Sequence, residues 1–210
     1  MKNLAFEAVL DKRKAEIVTA VLLLVDKVGI TGLTIKKIAA QVGFVEGALY
    51  KHVDSKMGIF HLILDASIQS LEATGRDISA RNLPPDGELA AWFDFILDFL
   101  EEYPGIYRIL FSDALYAEDR PLFEEFKICM LGLKNRVQAI IERGVRSRAF
   151  RPDVDPEKTS VTYLGLIIMT FMLWTVIEER ARGYKETAWP YFEEYMRTLR
   201  PIGPEAARGL

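Results

Sequence analysis

The residues best equipped to do chemistry lie between Thr34 and Lys56, in the stretch TIKKIAAQVGFVEGALYKHVDSK. Tyr50, Lys51 and His52 place a phenol, an ammonium and an imidazole on consecutive positions, and Lys36 and Lys37 add two cations upstream. Such donors meet phosphate oxygens and base edges. Glu46 is a carboxylate acceptor, of the kind that pairs with a cytosine amino group. Gly47 and Ala48 present almost no side chain, which allows a helix to come close to a surface. Catalytic chemistry is poorly supplied. His52 and His61 are the two histidines, well separated and without a companion cysteine, which speaks against a metal site. Cys129 is the single cysteine, and no motif gives it a base, so it reads as a small core residue. The carboxylate pairs Glu101-Glu102, Glu124-Glu125 and Glu178-Glu179 read as solvated helix faces, and there is no glycine loop for phosphates. The expectation is no catalytic residue, no metal, no cofactor and no enzyme.

The elements that must carry these groups follow from periodicity. Apolar residues recur at helical spacing throughout, and strand-like alternation bounded by turns is missing, so the fold class is all-α. A first helix is expected over 13–28, with Ile17, Val18, Val21, Leu22, Val25 and Val28 as its stripe. Thr34 can cap a second over 35–42, with Ile35, Ile38, Ala39 and Val42 inward. Gly43 stands where a helix stops with a left-handed residue, and a third helix over 45–53 follows with Leu49 inward. Two short helices across such a turn make a helix-turn-helix, whose second helix is shaped for a DNA major groove. On that basis Thr34, Glu46, Gly47, Ala48 and Lys51 are DNA-binding candidates, with Glu46, Gly47 and Lys51 as base readers.

Ser55 precedes a fourth helix over 56–81. The segment Asn82–Glu88, NLPPDGE, is the strongest break in the chain. Helices are then expected over 88–102, 104–116, 120–147, 156–182 and 187–199, with Pro104, Pro121, Pro156 and Pro190 near helix starts. The domain division is placed at 1–65 and 66–210, with helix 56–81 continuing across it.

The net charge of −3 divides unevenly. Residues 1–65 hold nine Lys+Arg against seven Asp+Glu, leaving 18 against 23 for the remainder. A slightly positive N-terminal end suits a protein that touches a few phosphates per copy. The first residues, MKNLAFEAVLDKRK, lack the apolar core of a signal peptide. With one cysteine this points to a reducing cytoplasm. Val161–Ile177 runs 17 residues without a charge. It is short for a membrane span and contains threonines, a tyrosine and a glycine. A helix apolar all round is otherwise buried, and a subunit interface is its natural partner.

Residues 14–64 resemble the N-terminal domain of TetR-family (tetracycline-repressor-like) transcription regulators. The resemblance rests on Ile17…Gly29, Gly32-Leu33-Thr34, Ile38-Ala39, Gly43, Gly47-Ala48-Leu49-Tyr50, His52 and Ser55-Lys56. It implies that Tyr50, His52 and Lys56 contact phosphates, and it aligns Lys36, with Lys37 beside it, with a position that reaches DNA. Departures stand at Val45, Ala48, Val53 and Met57, where the family often has a hydroxyl cap, Thr, Phe and Glu. The resemblance also implies a helical C-terminal domain that binds a small effector and pairs two subunits through its last long helices. Some of the large apolar residues there would line a cavity. The candidate walls are Trp92, Phe99, Tyr103, Tyr107 and Phe111, and then Phe126, Met130, Tyr163, Thr170 and Trp174. None is charged, so the effector is expected to be apolar or aromatic.

The resulting expectation is a homodimer that binds a roughly palindromic DNA operator and releases it when a small molecule enters the C-terminal domain. The rival is a helical small-molecule binder with weak or lost DNA affinity, for which Glu46, Ala48 and the thin positive charge speak.

Overall fold

The structure is a computed structural model that describes residues 6–177 and 180–201. Glu178 and Glu179 fall outside the described residues. The described residues form helices and turns without a strand, as expected from the periodicity. In chain order the helices are α1 (Lys12–Val28), α2 (Ile35–Val42), α3 (Glu46–Leu49), α4 (Lys56–Ala80), α5 (Pro85–Glu102), α6 (Gly105–Leu110), α7 (Asp113–Glu118), α8 (Arg120–Arg146), α9 (Pro156–Met172) and α10 (Tyr184–Leu199). A π turn, Leu173–Ile177, continues α9.

The chain divides into two compact units. The first takes residues up to 75 together with 102–129. Asp11 starts α1 by accepting from the backbone N–H groups of Arg13 and Lys14. The α1 stripe Ile17, Val18, Val21, Leu22 and Val25 is fully buried, whereas Val28, expected to join it, is exposed. α6 lies against α1 at Gly105, where a side-chain carbon would collide with the backbone carbonyl of Leu22. Phe6 closes the same region by packing on Tyr103, with ring centroids 4.7 Å apart.

The second unit takes residues 76–101 and those from 130 onward. Its centre is aromatic. Phe93 stacks on Phe192 at 4.4 Å, Tyr163 meets both edge-on, and Trp174 stacks on Tyr184 at 5.1 Å. Arg143 pairs with Glu88, and the Phe150 ring lies so close to Gly144 that no β-carbon fits there. The Pro- and Gly-rich segment after α4 is a turn within this unit.

Several expected helices are drawn differently. The stretch 104–116 breaks in two, because Ser112 accepts from the Leu115 N–H and starts α7 as a new helix. The stretch 156–182 is α-helical to Met172 and continues as the π turn Leu173–Ile177, and Arg180 is already in a turn. α10 starts at Tyr184, ahead of the expected 187, so Pro190 sits inside the helix.

α9 and its π turn, Pro156–Ile177, are long and apolar enough to cross a membrane by length and composition alone. The single chain buries only 33% of the most apolar window. Val161, Met169, Val176 and Ile177 are each more than half exposed. One subunit therefore does not bury this helix, contrary to a plain core role.

Candidate nucleic-acid interface

Thr34 begins the interface. Its hydroxyl accepts from the Lys37 N–H at 3.2 Å, which fixes the start of α2. Ile38 and Ala39 are buried beneath α2, while Ile35 and Val42 are only half-buried. Gly43 takes the left-handed conformation, φ 79° and ψ 29°, and Phe44 N–H reaches back to the Ala39 carbonyl at 2.8 Å. This closure, open to glycine at no steric cost, sets the angle between α2 and α3.

α3 is shorter than the expected 45–53. It makes one α turn from Glu46 to Leu49 and then tightens. Lys51 and His52 bond the carbonyls of Ala48 and Leu49, three residues back. Val45 precedes it without a side-chain oxygen to hold the first N–H groups, so the helix lacks a hydroxyl cap. Leu49 and Val53 anchor the segment in the core.

The outward face collects most of the candidates. Lys36 and Lys37 on α2, and Glu46, Gly47, Tyr50 and Lys51 around α3, are all exposed; Ala48 and His52 are half-buried. Nothing lies within 4 Å of where a Gly47 β-carbon would stand, so this face is open. His52 stacks on Phe44 at 5.9 Å, and the Arg13 guanidinium lies over the same Phe44 ring, 5.4 Å from its centroid. Sequence reasoning missed this Arg13–Phe44–His52 arrangement. The apolar Phe44 directly after the turn glycine was its one signal.

Two lysines have a second task. Lys37 Nζ donates to the Gly32 carbonyl at 2.8 Å, and Lys56 Nζ donates to the Ile30 carbonyl at 3.2 Å. Both pin the turn between α1 and α2. An ammonium has three protons, so each keeps donors to spare.

The ten residues named as effector walls do not form one set. In the first unit Tyr107 meets Phe111, Phe111 meets Phe126, and Tyr116, which sequence reasoning also missed, stacks on Phe126. Phe111 is 45% exposed there. Burial pushes the Tyr116 phenol well above its ordinary value, and its hydroxyl donates to the Leu110 carbonyl. Tyr103 is buried in the same unit. In the second unit Trp92, Tyr163, Thr170 and Trp174 are buried, and Phe99 and Met130 are half-buried. Their polar groups are engaged internally. Tyr163 donates to the Leu89 carbonyl at 2.9 Å, Thr170 to the Leu166 carbonyl at 2.8 Å, and the Trp174 indole to the Arg182 carbonyl at 2.7 Å.

Comparison with known proteins places this geometry. No family model matches the chain. The sequence is 28% identical over 139 residues to the nucleoid occlusion factor SlmA of Idiomarina loihiensis, covering 66% of this chain and 69% of that one. The SlmA of Shewanella loihica is 36% identical over 96 residues, which span 43% of this chain and 46% of that one. Among solved structures, the ketosteroid regulator KstR2 of Mycobacterium tuberculosis superposes with a TM-score of 0.76 at 18% identity, over 92% of this chain and 97% of that one. A TetR transcription regulator from Haloarcula marismortui follows at 0.69 and 21% identity, over 90% and 99%. The chain shares the fold of these TetR transcription regulators. FadR of Bacillus subtilis, solved with stearoyl-CoA, shares the fold at 0.71 and 17% identity, over 88% and 98%. Within the TetR fold, the exposed face of α2 and α3 is the helix-turn-helix.

Proposed function

We propose that the chain is a cytoplasmic, homodimeric, sequence-specific DNA-binding regulator without enzymatic activity. Its first 65 residues carry the DNA contacts, and a small apolar molecule relieves binding. The observation that carries this reading is the open face of α2 and α3. Five exposed polar donors or acceptors, Lys36, Lys37, Glu46, Tyr50 and Lys51, accompany the open position at Gly47, and Gly43 fixes the turn between the two helices. Phosphate contacts fall to Lys36, Lys37, Tyr50, His52 and Lys56; base readout falls to Glu46 and Lys51.

The dimer reading is supported by the uncovered stripe of α9. Val161, Gly165, Met169 and Val176 recur on one face at helical spacing, and nothing lies within 4 Å of a β-carbon built at Gly165. A second copy of the helix can approach closely along that stripe. Two copies place two recognition helices on DNA, which calls for a roughly palindromic site. For the effector, the half-open aromatic set Tyr107, Phe111, Tyr116 and Phe126 supports planar or fatty ligands, and a neighbour in fold binds stearoyl-CoA.

Selection of bound duplexes from a random pool, followed by anisotropy titration, tests the reading. A palindromic motif with a salt-dependent affinity is expected. Salt-independent or absent binding would instead favour the helical small-molecule binder, toward which Glu46 and Ala48 point.

A further inference from the structure

His61 lies on α4, just over one turn after Lys56. Both of its ring nitrogens face carboxylates. Nδ1 is 3.0 and 3.1 Å from the two oxygens of Glu125, and Nε2 is 3.2 Å from Oδ2 of Asp119. The two carboxylates lie on opposite sides of the ring, at the start of α8. Asp119 is itself fixed, since its Oδ1 accepts from the Leu122 N–H at 2.9 Å. The nearby charges are otherwise engaged. Glu124 pairs with Arg120 and Lys127, and Asp65, one turn further along α4, accepts from Gln69.

A neutral imidazole carries one N–H and one lone pair. In either tautomer one nitrogen would turn its lone pair toward a carboxylate oxygen at hydrogen-bond distance. Both contacts are satisfied only by the imidazolium. Burial by itself would lower the His61 pKa, but the hydrogen bonds and charges of Asp119 and Glu125 outweigh it and hold the group above the ordinary histidine value.

We infer that His61, as an imidazolium, is a positioning residue that latches α4 to the start of α8 and thereby holds the recognition segment in its DNA-binding placement. This rests on the DNA-binding reading above. The lever is short: five residues of α-helix, about 7–8 Å, separate His61 from Lys56, which holds the turn between α1 and α2. Since the charged form is favoured in the folded chain, the latch is complete below the ordinary histidine pKa, while the carboxylates stay ionised, and is lost as pH rises through the raised pKa. Operator affinity should fall with it.

The test combines two measurements on the full chain. Nuclear magnetic resonance titration of the His61 ring should give a pKa above that of an unperturbed histidine, and Asp119→Asn with Glu125→Gln should bring it down. Anisotropy titration with the selected operator at about pH 6 and about pH 8.5 should show a loss of roughly five- to tenfold in the wild type, the size of a modest coupling. His61→Gln should abolish most of that dependence. His52→Gln, at a proposed phosphate contact, should lower affinity at both pH values and still show most of the loss between them. An unshifted His61 pKa overturns the latch. A His61→Gln variant with wild-type pH dependence overturns its link to DNA. A shifted pKa in a protein that binds no duplex at any pH sinks the DNA-binding reading and, with it, the positioning role.

Discussion

Lys56 donates to the Ile30 carbonyl within the free protein, and that changes what its removal would do. Lys56→Ala is expected to weaken binding to all sequences alike and to flatten the salt slope by about one unit. It should also loosen the turn between α1 and α2, visible as a lower Tm. Tyr50→Phe loses only an exposed hydroxyl and should weaken binding with the Tm unchanged. An affinity and slope untouched by Lys56→Ala would remove that lysine from the contact list. Glu46→Gln should change the preferred base at one position per half-site, by about 1–3 kcal/mol of discrimination. Identical motifs from selections with wild type and variant would strike Glu46 as a reader. Thr34→Ala removes a cap and should cost about 1 kcal/mol of stability, read by denaturant titration. Much at this scale was legible from residue type. Thr34, Gly43 and Leu49 do what capping, left-handed closure and core burial require. The second tasks of Lys37 and Lys56 were not legible, because their carbonyl partners are main-chain groups that every residue carries.

At the scale of elements, helix positions were readable from apolar spacing, and their ends much less so. The split between α6 and α7 hangs on one Ser112 hydroxyl, and the π turn after α9 leaves no compositional mark. The crossing of α1 and α6 was hidden too, since Gly105 after a proline reads as a simple break. Gly105→Ala must push the two helices apart and should destabilise by about 1–3 kcal/mol, measured by urea unfolding. The dimer stripe permits a sharper test than Trp174, which is buried and hydrogen-bonded within its own subunit. Met169 is 67% exposed in the single chain. Met169→Glu should leave the subunit folded and yield monomers by light scattering, because the charge would be stranded in an apolar interface. A Met169→Glu protein with dimer mass at low micromolar concentration would place the interface elsewhere.

For the whole molecule, the uneven charge and the aromatic content make a joint prediction. Ligands should stabilise in proportion to apolar surface. A thermal-shift series of fatty or planar compounds is expected to raise the Tm, by about 2.7 kcal/mol of stability at a hundredfold excess over Kd. Small anions without an apolar part should leave it unmoved, and the reverse ranking would end the apolar-effector reading. The sequence carried the aromatic residues but not their grouping. Tyr107, Phe111 and Phe126 meet in a row that Tyr116 extends, whereas Tyr163 and Trp174 pack into a different unit. The division between the units falls inside α4, α5 and α8, not in any loop. Proteases need an extended, unwound strand to cut, and a continuous helix offers none at those points. The end that carries α2 and α3 is therefore continuous with the rest through whole helices. A chimera joined after residue 65 would splice two half-helices, so a graft succeeds only where the turns of the donor and recipient α4 match in phase.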